Sequence, residues 1–189
     1  MARQISLIIV GAGDRGQLYA DLAARDPRVR IAAVADPDEC RRTTLAERHA
    51  VPSTRRYSHW RDLIEQPRIA DAAVIATLDR LHHEPALALA EEGYHLLLEK
   101  PMAVTPDMCR SIVDVARAAR VTLAVCHVLR YRPVHPGAAA TARLGRHRSG
   151  RVRAASRAGW LVASGALVRT RQLAAHRRVD VYVDGQECA

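Results

Sequence analysis

Lys100 is the residue whose side chain is best suited to chemistry. The chain has 189 residues, of which 29 are lysine or arginine, and Lys100 is the only lysine. An arginine guanidinium stays protonated in proteins, whereas a partly desolvated lysine can release and regain a proton. Lys100 ends the run "YHLLLEK", and in an open parallel sheet ligands bind outside the carboxyl ends of the strands. We therefore expect Lys100 to act on a bound substrate; the alternative is a surface lysine that precedes Pro101.

A second chemical signal is the glycine pattern Gly11-x-Gly13-x-x-Gly16 near the amino terminus. It follows the apolar run "ISLIIV" and precedes a helical pattern, which is the strand–turn–helix order of a dinucleotide-binding unit. Gly11 permits a tight turn, Gly13 lets backbone N–H groups approach a pyrophosphate, and Gly16 lets the helix pack close to the strand. Asp14 and Arg15 lie between these glycines at the positive end of the helix, where we expect cofactor contacts.

Asp36 is the residue that bears on the choice of cofactor. It ends the second predicted strand, "RIAAVAD", 25 residues after Gly11. A carboxylate at this place can accept hydrogen bonds from the adenosine ribose and would repel a 2′-phosphate, which favours NAD. Arg41 and Arg42 follow closely and could hold that phosphate, so NADP is the alternative. Asp36 could instead be the N-cap of the helix predicted in "DECRRTTLAERHA".

Strand and helix patterns alternate through the first two thirds of the chain. The segments "ADAAVIAT", "YHLLLEK" and "VTLAVCHV" indicate strands, whereas "YSHWRDLIEQ", "HHEPALALAEEG" and "TPDMCRSIVDVARAAR" indicate helices. Thr105 is the expected N-cap of the last helix, with Pro106 at its first position. Strand–helix units in this order predict the α/β class: a Rossmann-type doubly wound parallel sheet with helices on both faces.

The segment "LLLEKPMAVT" resembles the Glu-Lys-Pro motif of the Gfo/Idh/MocA family, named after glucose–fructose oxidoreductase and inositol dehydrogenase. The segments "AVADPDE" and "ATLDRLHHEPALALAEEGYHLLLEKP" are similar to family segments, and "HVLRYRP" is similar to the family's GHxxRYxP. These matches occur in the family's order and cover residues 4–133. Leu78 stands where the family usually has proline, and Cys126 stands where it usually has glycine.

The resemblance implies an oxidoreductase that passes a hydride between a sugar or polyol carbon and the nicotinamide of NAD, with NADP possible. It makes Lys100 the catalytic residue, oriented by Glu99, and it favours His82 over His83 near the cofactor. Substrate-side residues are expected after the last predicted strand. The implied cofactor contacts are Gly11, Gly13, Asp14, Arg15, Gly16, Asp36, Thr77, His82, Glu99 and Lys100, and the substrate-side candidates are His127, Arg130 and Tyr131.

The last 56 residues differ from the rest of the chain in charge and in pattern. Residues 1–133 carry 19 basic and 17 acidic groups, whereas residues 134–189 carry 10 and 3. The family's continuation after "RYRP" is missing there. We therefore divide the chain into a dinucleotide-binding Rossmann domain at 1–133 and a basic tail at 134–189. We expect the tail to be disordered or loosely helical, in place of the family's α+β second domain.

Family segments reappear when this tail is read one base later. The codons of Val134, His135 and Pro136, written GTA-CAC-CCG, give Tyr-Thr-Arg when they are read from the second base. Residues 142–151 can be written to give Leu-Asp-Ser-Gly-Ala-Ile-Gly-Arg-Val-Val. Each shifted codon can reach only a few amino acids, so ordered matches in one frame indicate a one-base insertion near Pro133. The insertion would lie in the gene or in its sequencing, and nucleotide sequencing tests it.

Because this tail lacks the family's substrate pocket and oligomer interface, we expect the chain to bind NAD weakly and not to oxidise sugars. One alternative is a non-catalytic protein that binds NAD(H) for regulation. Another is a polyanion-binding protein that acts through the basic tail. Nucleic acid is the weaker expectation as a partner, because the tail has neither interleaved aromatic residues nor a known nucleic-acid motif.

The cysteines and the apolar runs bear on the cellular compartment. Cys40, Cys109, Cys126 and Cys188 show no CxxC spacing, which favours reduced structural thiols over a metal or redox site. The run "ISLIIV" is too short for the core of a signal peptide, and no run reaches the length of a membrane span. These observations predict a soluble, cytoplasmic protein.

Overall fold

Six parallel strands form one sheet in the order β3-β2-β1-β4-β5-β6. The computed structural model describes residues 3–127 and the backbone of residues 160–163 and 166–169. The strand order reverses between β1 and β4, which is the switch point where open α/β sheets bind ligands. The predicted Rossmann-type α/β class is therefore confirmed. The strands are β1 (Ile5–Val10), β2 (Val29–Ala35), β3 (Arg56–Tyr57), β4 (Ala72–Ile75), β5 (His95–Leu98) and β6 (Leu123–Val125).

Helices cover both faces of the sheet. Successive side chains of a strand point to opposite faces, and β1 shows this directly. Ile8 packs in the cluster formed with α3, α4 and α5, whereas Ile9 packs in the cluster formed with α1 and α2. Both isoleucines are fully buried, so the sheet is the central layer of the fold. The helices are α1 (Asp14–Ala23), α2 (Glu39–Arg48), α3 (Trp60–Ile64), α4 (His83–Glu91) and α5 (Pro106–Ala118).

The start of α5 follows the sequence prediction, but the region around β3 does not. The Thr105 side chain accepts a hydrogen bond from the Met108 N–H at 3.3 Å, and Pro106 is the first helical residue. The helix predicted from Tyr57 begins instead at Trp60, because Tyr57 pairs with Ala35 of β2. A strand of two residues is too short to show a period of two, so the sequence pattern could not reveal β3.

The described part of the tail consists of two short strands, β7 (Trp160–Ala163) and β8 (Ala166–Arg169). They pair antiparallel in a sheet separate from the main one. These eight residues are extended, and the rest of the tail lies outside the described residues, so the expectation for the tail stays a prediction. The domain boundary after residue 133 lies outside the described residues. Within the described chain, no helix is long and apolar enough to cross a bilayer.

Candidate functional site

The carboxyl ends of β1, β2 and β4 open onto a cavity of about 660 Å³. This volume lies within the usual range of small-molecule and cofactor sites. Its walls are the glycine turn, the ends of β2 and β4, residues 58–61 and the first turn of α4. Six of the expected cofactor contacts line it: Gly11, Gly13, Asp14, Arg15, Asp36 and Thr77.

The three glycines of the turn meet different surroundings. Gly11 has a φ of +93°, and a Cβ atom there would lie 2.7 Å from the Ala76 carbonyl carbon and oxygen. A Cβ atom on Gly16 would lie 1.8 Å from the Gly11 oxygen, so α1 packs directly on the turn. A Cβ atom on Gly13 would meet nothing within 4 Å. The space above Gly13, at the N-terminus of α1, is therefore open to an anionic group of a ligand.

Asp36 is buried and held by two backbone N–H groups. Its Oδ2 accepts a hydrogen bond from the Ala12 N–H at 2.5 Å, and its Oδ1 accepts one from the Asp38 N–H at 2.8 Å. The N-cap alternative for Asp36 is wrong, because Asp38 caps α2 by accepting from the Arg41 N–H. Each Asp36 oxygen keeps a lone pair for a ligand hydroxyl. The carboxylate is thus fixed at the edge of the cavity.

The two arginines that could hold a 2′-phosphate have different partners. The Arg42 guanidinium donates to the Asp36 carbonyl oxygen at 2.6 Å, which ties it to the backbone. Arg41 lines the cavity, and its Nε lies 3.5 Å from Asp38 Oδ2. Both side chains of that ion pair are largely exposed, so the pair holds Arg41 only weakly. Of the two, Arg41 alone lines the cavity wall.

The Thr77 side chain carries a buried hydroxyl group that has no hydrogen-bond partner within the described residues. Among the buried side-chain polar atoms of the described residues, Thr77 Oγ1 is the one without a hydrogen bond. Thr77 follows β4 and lines the cavity. A buried polar group without a partner is costly, and such groups are rare in native proteins. With the open space above Gly13 and the fixed Asp36 carboxylate, this hydroxyl fits a dinucleotide rich in acceptor and hydroxyl groups.

Glu99 is a buried carboxylate that braces the backbone of Lys100. Its Oε1 accepts from the Tyr19 hydroxyl at 2.5 Å and lies 3.4 Å from Arg15 Nε. Its Oε2 accepts from the Lys100 N–H at 2.6 Å. The next peptide bond, Lys100–Pro101, is cis. Glu99 does not line the cavity; it fixes the chain from which the Lys100 side chain departs.

Tyr19 is a site residue that the sequence reasoning missed. Its side chain is 1% exposed on the inner face of α1. Burial, followed by hydrogen bonds with Cys126 and Glu99, raises the pKa of Tyr19, so the phenol stays protonated and donates to Glu99. A tyrosine on an otherwise apolar helix face was the available signal, since a buried phenol needs a polar partner. That partner is 80 residues away in sequence.

Lys100 and His127 follow neighbouring strands at the same level. Leu98 of β5 pairs with Val125 of β6, and Lys100 and His127 each come two residues later. Lys100 is exposed, and His127 is half-buried. The described residues thus do not provide the partial desolvation expected for Lys100. The other substrate-side candidates, Arg130 and Tyr131, lie outside the described residues.

His82 and His83 take different places at the start of α4. His82 is fully buried, and its Nδ1 and Nε2 lie 2.8 and 3.0 Å from the carbonyl oxygens of Pro101 and Thr77. It does not line the cavity, whereas His83 does and hydrogen-bonds Ser111 Oγ at 2.8 Å. His82 therefore braces the cavity from behind, in contrast to the expected direct contact with a cofactor.

One of the cysteines, Cys126, is buried directly after β6. Burial raises the pKa of the Cys126 thiol to about 12. Because the thiolate is the reactive form, this thiol is inert near neutral pH. In residues 3–127 no group of three or more His, Cys, Asp or Glu side chains is arranged to hold a metal ion.

Comparison with known proteins places these features in a family. A family model described as an oxidoreductase family with an NAD-binding Rossmann fold, GFO_IDH_MocA, matches residues 5–127. The rhizopine catabolism protein MocA of Rhizobium meliloti is 35% identical over 125 residues, which are 66% of this chain and 38% of that protein. Inositol 2-dehydrogenase of Rubrobacter xylanophilus is 32% identical over 136 residues, 71% of this chain and 38% of that protein.

Solved structures share the same fold. GenD2 from gentamicin A biosynthesis, in complex with NAD, has a TM-score of 0.61 and 26% identity, covering 66% of this chain and 35% of that one. Biliverdin reductase from Synechocystis sp. PCC 6803, in complex with biliverdin and NADP+, has a TM-score of 0.65 and 30% identity. That match covers 75% of this chain and 43% of that one. The chain thus spans less than half the length of these relatives.

Proposed function

The chain belongs to the Gfo/Idh/MocA family of oxidoreductases with an NAD-binding Rossmann fold, and from this premise we propose that residues 3–127 are the cofactor half of a sugar or polyol dehydrogenase. The observation that carries the proposal is the place of Lys100 at the carboxyl end of β5. Its backbone is fixed there by the buried carboxylate of Glu99. Relatives named as dehydrogenases of inositol, xylose and levoglucosan support the substrate class.

Different residues of the cavity would bind different parts of the dinucleotide. The open backbone at Gly13 and the first turn of α1 would take the pyrophosphate. Asp36 would accept hydrogen bonds from the adenosine ribose, and Thr77 Oγ1 would gain the partner it lacks within the described residues. The bound nicotinamide supplies hydride acceptance or donation, and the protein supplies position and proton handling.

Lys100 would hold and move the proton of the reacting hydroxyl. Its ammonium group can donate a hydrogen bond to a substrate oxygen, and its amine form can take the proton as the carbinol carbon loses hydride. Lys100 is exposed in the described residues, whereas lysines that handle protons in catalysis are at least partly desolvated. A substrate and a covering wall would have to desolvate it, so Lys100 gains this role only in a closed site.

For the choice of cofactor, we propose NAD over NADP. Two backbone N–H groups hold the Asp36 carboxylate, so it cannot swing away from a 2′-phosphate. Arg41, the one of the two arginines on the cavity wall, is a competing feature that would soften this preference. The test compares the dissociation constants of NAD+ and NADP+, and tighter binding of NADP+ would overturn the preference.

For the tail, we propose that residues 134–189 are an out-of-frame reading of the family's second half. Their acid-poor composition supports this, as does the end of the family match at residue 127. Such a tail would not encode the family's substrate domain. We therefore expect the 189-residue polypeptide to bind dinucleotide without oxidising sugars. Restoring the frame should restore turnover; robust oxidation by the original polypeptide would contradict the proposal.

A non-catalytic NAD(H)-binding role is the second candidate, and the exposure of Lys100 favours it. The two functions differ in one experiment. The frame-restored protein is assayed for NADH formation with a panel of inositols and aldoses, beside a K100M variant. Turnover that K100M abolishes identifies the dehydrogenase. Binding of NAD+ without turnover in the frame-restored protein identifies the non-catalytic role.

A further inference from the structure

Arg15 and Tyr19 lie one turn apart on the same face of α1, and both contact the buried carboxylate of Glu99. The Tyr19 hydroxyl donates to Glu99 Oε1 at 2.5 Å, and Arg15 Nε lies 3.4 Å from the same oxygen. Residues four apart on a helix are neighbours on its surface, so both contacts follow from the register of α1. One carboxylate thus joins α1 to the end of β5.

The groups around Glu99 fit an ionised carboxylate that is paired with Arg15. All three are donors or cations: the Tyr19 hydroxyl, the Lys100 N–H and the Arg15 guanidinium. Glu99 is 5% exposed, and a buried charge is tolerated only when it is paired and hydrogen-bonded. Among the described residues, Arg15 is the one that forms an ion pair with it. The buried carboxylate therefore holds the guanidinium.

Arg15 also reaches the cavity. It lines the cavity wall, as do Gly13 and Asp14, and its side chain is about half exposed. A guanidinium carries five N–H donors in a planar fork, and the ion pair with Glu99 uses its Nε side. The two Nη groups have no partner within residues 3–127 and remain for a ligand. Such a fork binds phosphate oxygens with two parallel hydrogen bonds.

We propose that Glu99 is a positioning residue for the cofactor, which holds Arg15 by its Nε side so that the two Nη groups bind the diphosphate of the dinucleotide. This inference rests on the proposed function, since it takes the ligand of the cavity to be a dinucleotide. Glu99 does not line the cavity and acts through Arg15. Its other oxygen accepts the Lys100 N–H, so one buried charge anchors both the diphosphate-binding arginine and the backbone of Lys100.

The test is a double-mutant cycle on NADH affinity. NADH is titrated calorimetrically into the 189-residue chain and its R15M, E99Q and R15M/E99Q variants, with R25M as the control. Arg25 is an exposed arginine that follows α1 and does not line the cavity. We expect R15M to weaken NADH binding about tenfold, the order of one charged hydrogen bond, and E99Q about threefold. E99Q in the R15M background, and R25M alone, should each change the affinity by less than about twofold.

A merely structural role of Glu99 would weaken NADH binding equally with and without Arg15, and this result would overturn the inference. Tighter binding by E99Q would also overturn it, because the carboxylate would then keep Arg15 away from the diphosphate. Unchanged affinity in R15M overturns the inference and leaves the proposed function intact, since Gly13 and Asp36 would still bind the cofactor. Failure of the folded wild-type chain to bind NADH would contradict the proposed function itself.

R15K keeps the inference testable if E99Q does not fold. A lysine ammonium carries the same charge, but it lacks the planar fork whose two edges would meet Glu99 and the phosphates together. We expect the NADH affinity of R15K to lie close to that of R15M. An affinity closer to that of the wild-type chain would show that the charge alone suffices, and it would overturn the bridging role of Arg15.

Discussion

Alanine substitutions at Gly13 and Gly16 should separate ligand binding from packing within one turn. In G16A the new methyl carbon would lie 1.8 Å from the Gly11 oxygen and 3.2 Å from Ile9 Cγ2. Helix α1 would have to retreat by about 1.5 Å or more before carbon and oxygen reach ordinary contact. Overpacking of this kind costs about 1–3 kcal/mol. We expect G16A to be destabilised by at least that amount and to lose cofactor binding with it.

In G13A the new methyl group meets no protein atom within 4 Å, and the backbone there is extended with φ −68° and ψ −171°. Alanine adopts that conformation freely, so the loss should be only that of an N-cap glycine, below about 1 kcal/mol. The methyl group does fill the space expected to admit the pyrophosphate. We therefore expect G13A to fold normally and to bind NADH at least tenfold more weakly, about 1.4 kcal/mol.

The assay is urea unfolding of the wild-type chain and both variants, followed by titration with NADH. We expect G16A to lose both stability and binding, whereas G13A should lose only binding. Wild-type affinity in G13A would refute the assignment of the space above Gly13. Wild-type stability in G16A would refute the close packing of α1 on the turn.

Two further substitutions and one labelling experiment test the surroundings of the cavity. Y19F removes one hydrogen bond from the buried Glu99 carboxylate, so the free energy of unfolding in urea should fall by about 1–3 kcal/mol. An unchanged free energy of unfolding would contradict the stabilising role of the Tyr19–Glu99 hydrogen bond. D36A removes the carboxylate that repels a 2′-phosphate and should raise NADP+ affinity relative to NAD+ about tenfold by calorimetry; a fixed ratio would contradict its role. Burial raises the pKa of Cys126 to about 12. Iodoacetamide at pH 8 should therefore label the exposed Cys40 and leave Cys126 unlabelled until the chain unfolds, as measured by mass spectrometry. Equal labelling of the two cysteines in the folded chain would contradict the burial of Cys126.

Local patterns in the sequence are sufficient to predict the class of fold and the glycine turn. The run from Ile5 to Val10, the three glycines and the periodic α1 are consecutive, and each agrees with the next, so their structure follows from local rules. The cap at Thr105 follows in the same way. The class of fold, the cavity at the strand ends and the place of Lys100 were all within reach of the sequence for this reason.

The features that the sequence did not predict depend on tertiary contacts between residues that are distant in sequence. Tyr19 and Glu99 are 80 residues apart, and neither shows in its neighbourhood that it bonds the other. His82 and His83 are adjacent, yet one turns into the interior and the other to the cavity, because the ring of His82 meets two carbonyl groups from other loops. The exposure of Lys100 depends on which elements cover β5, and a motif does not record that.

Calorimetric titration of the purified 189-residue chain with NADH measures whether the glycine-turn cavity is a dinucleotide site. We expect saturable binding at one site per chain, weakened at least tenfold by G13A while the fold stays intact. Absence of binding by a folded wild-type chain, or binding that G13A leaves unchanged, would contradict it.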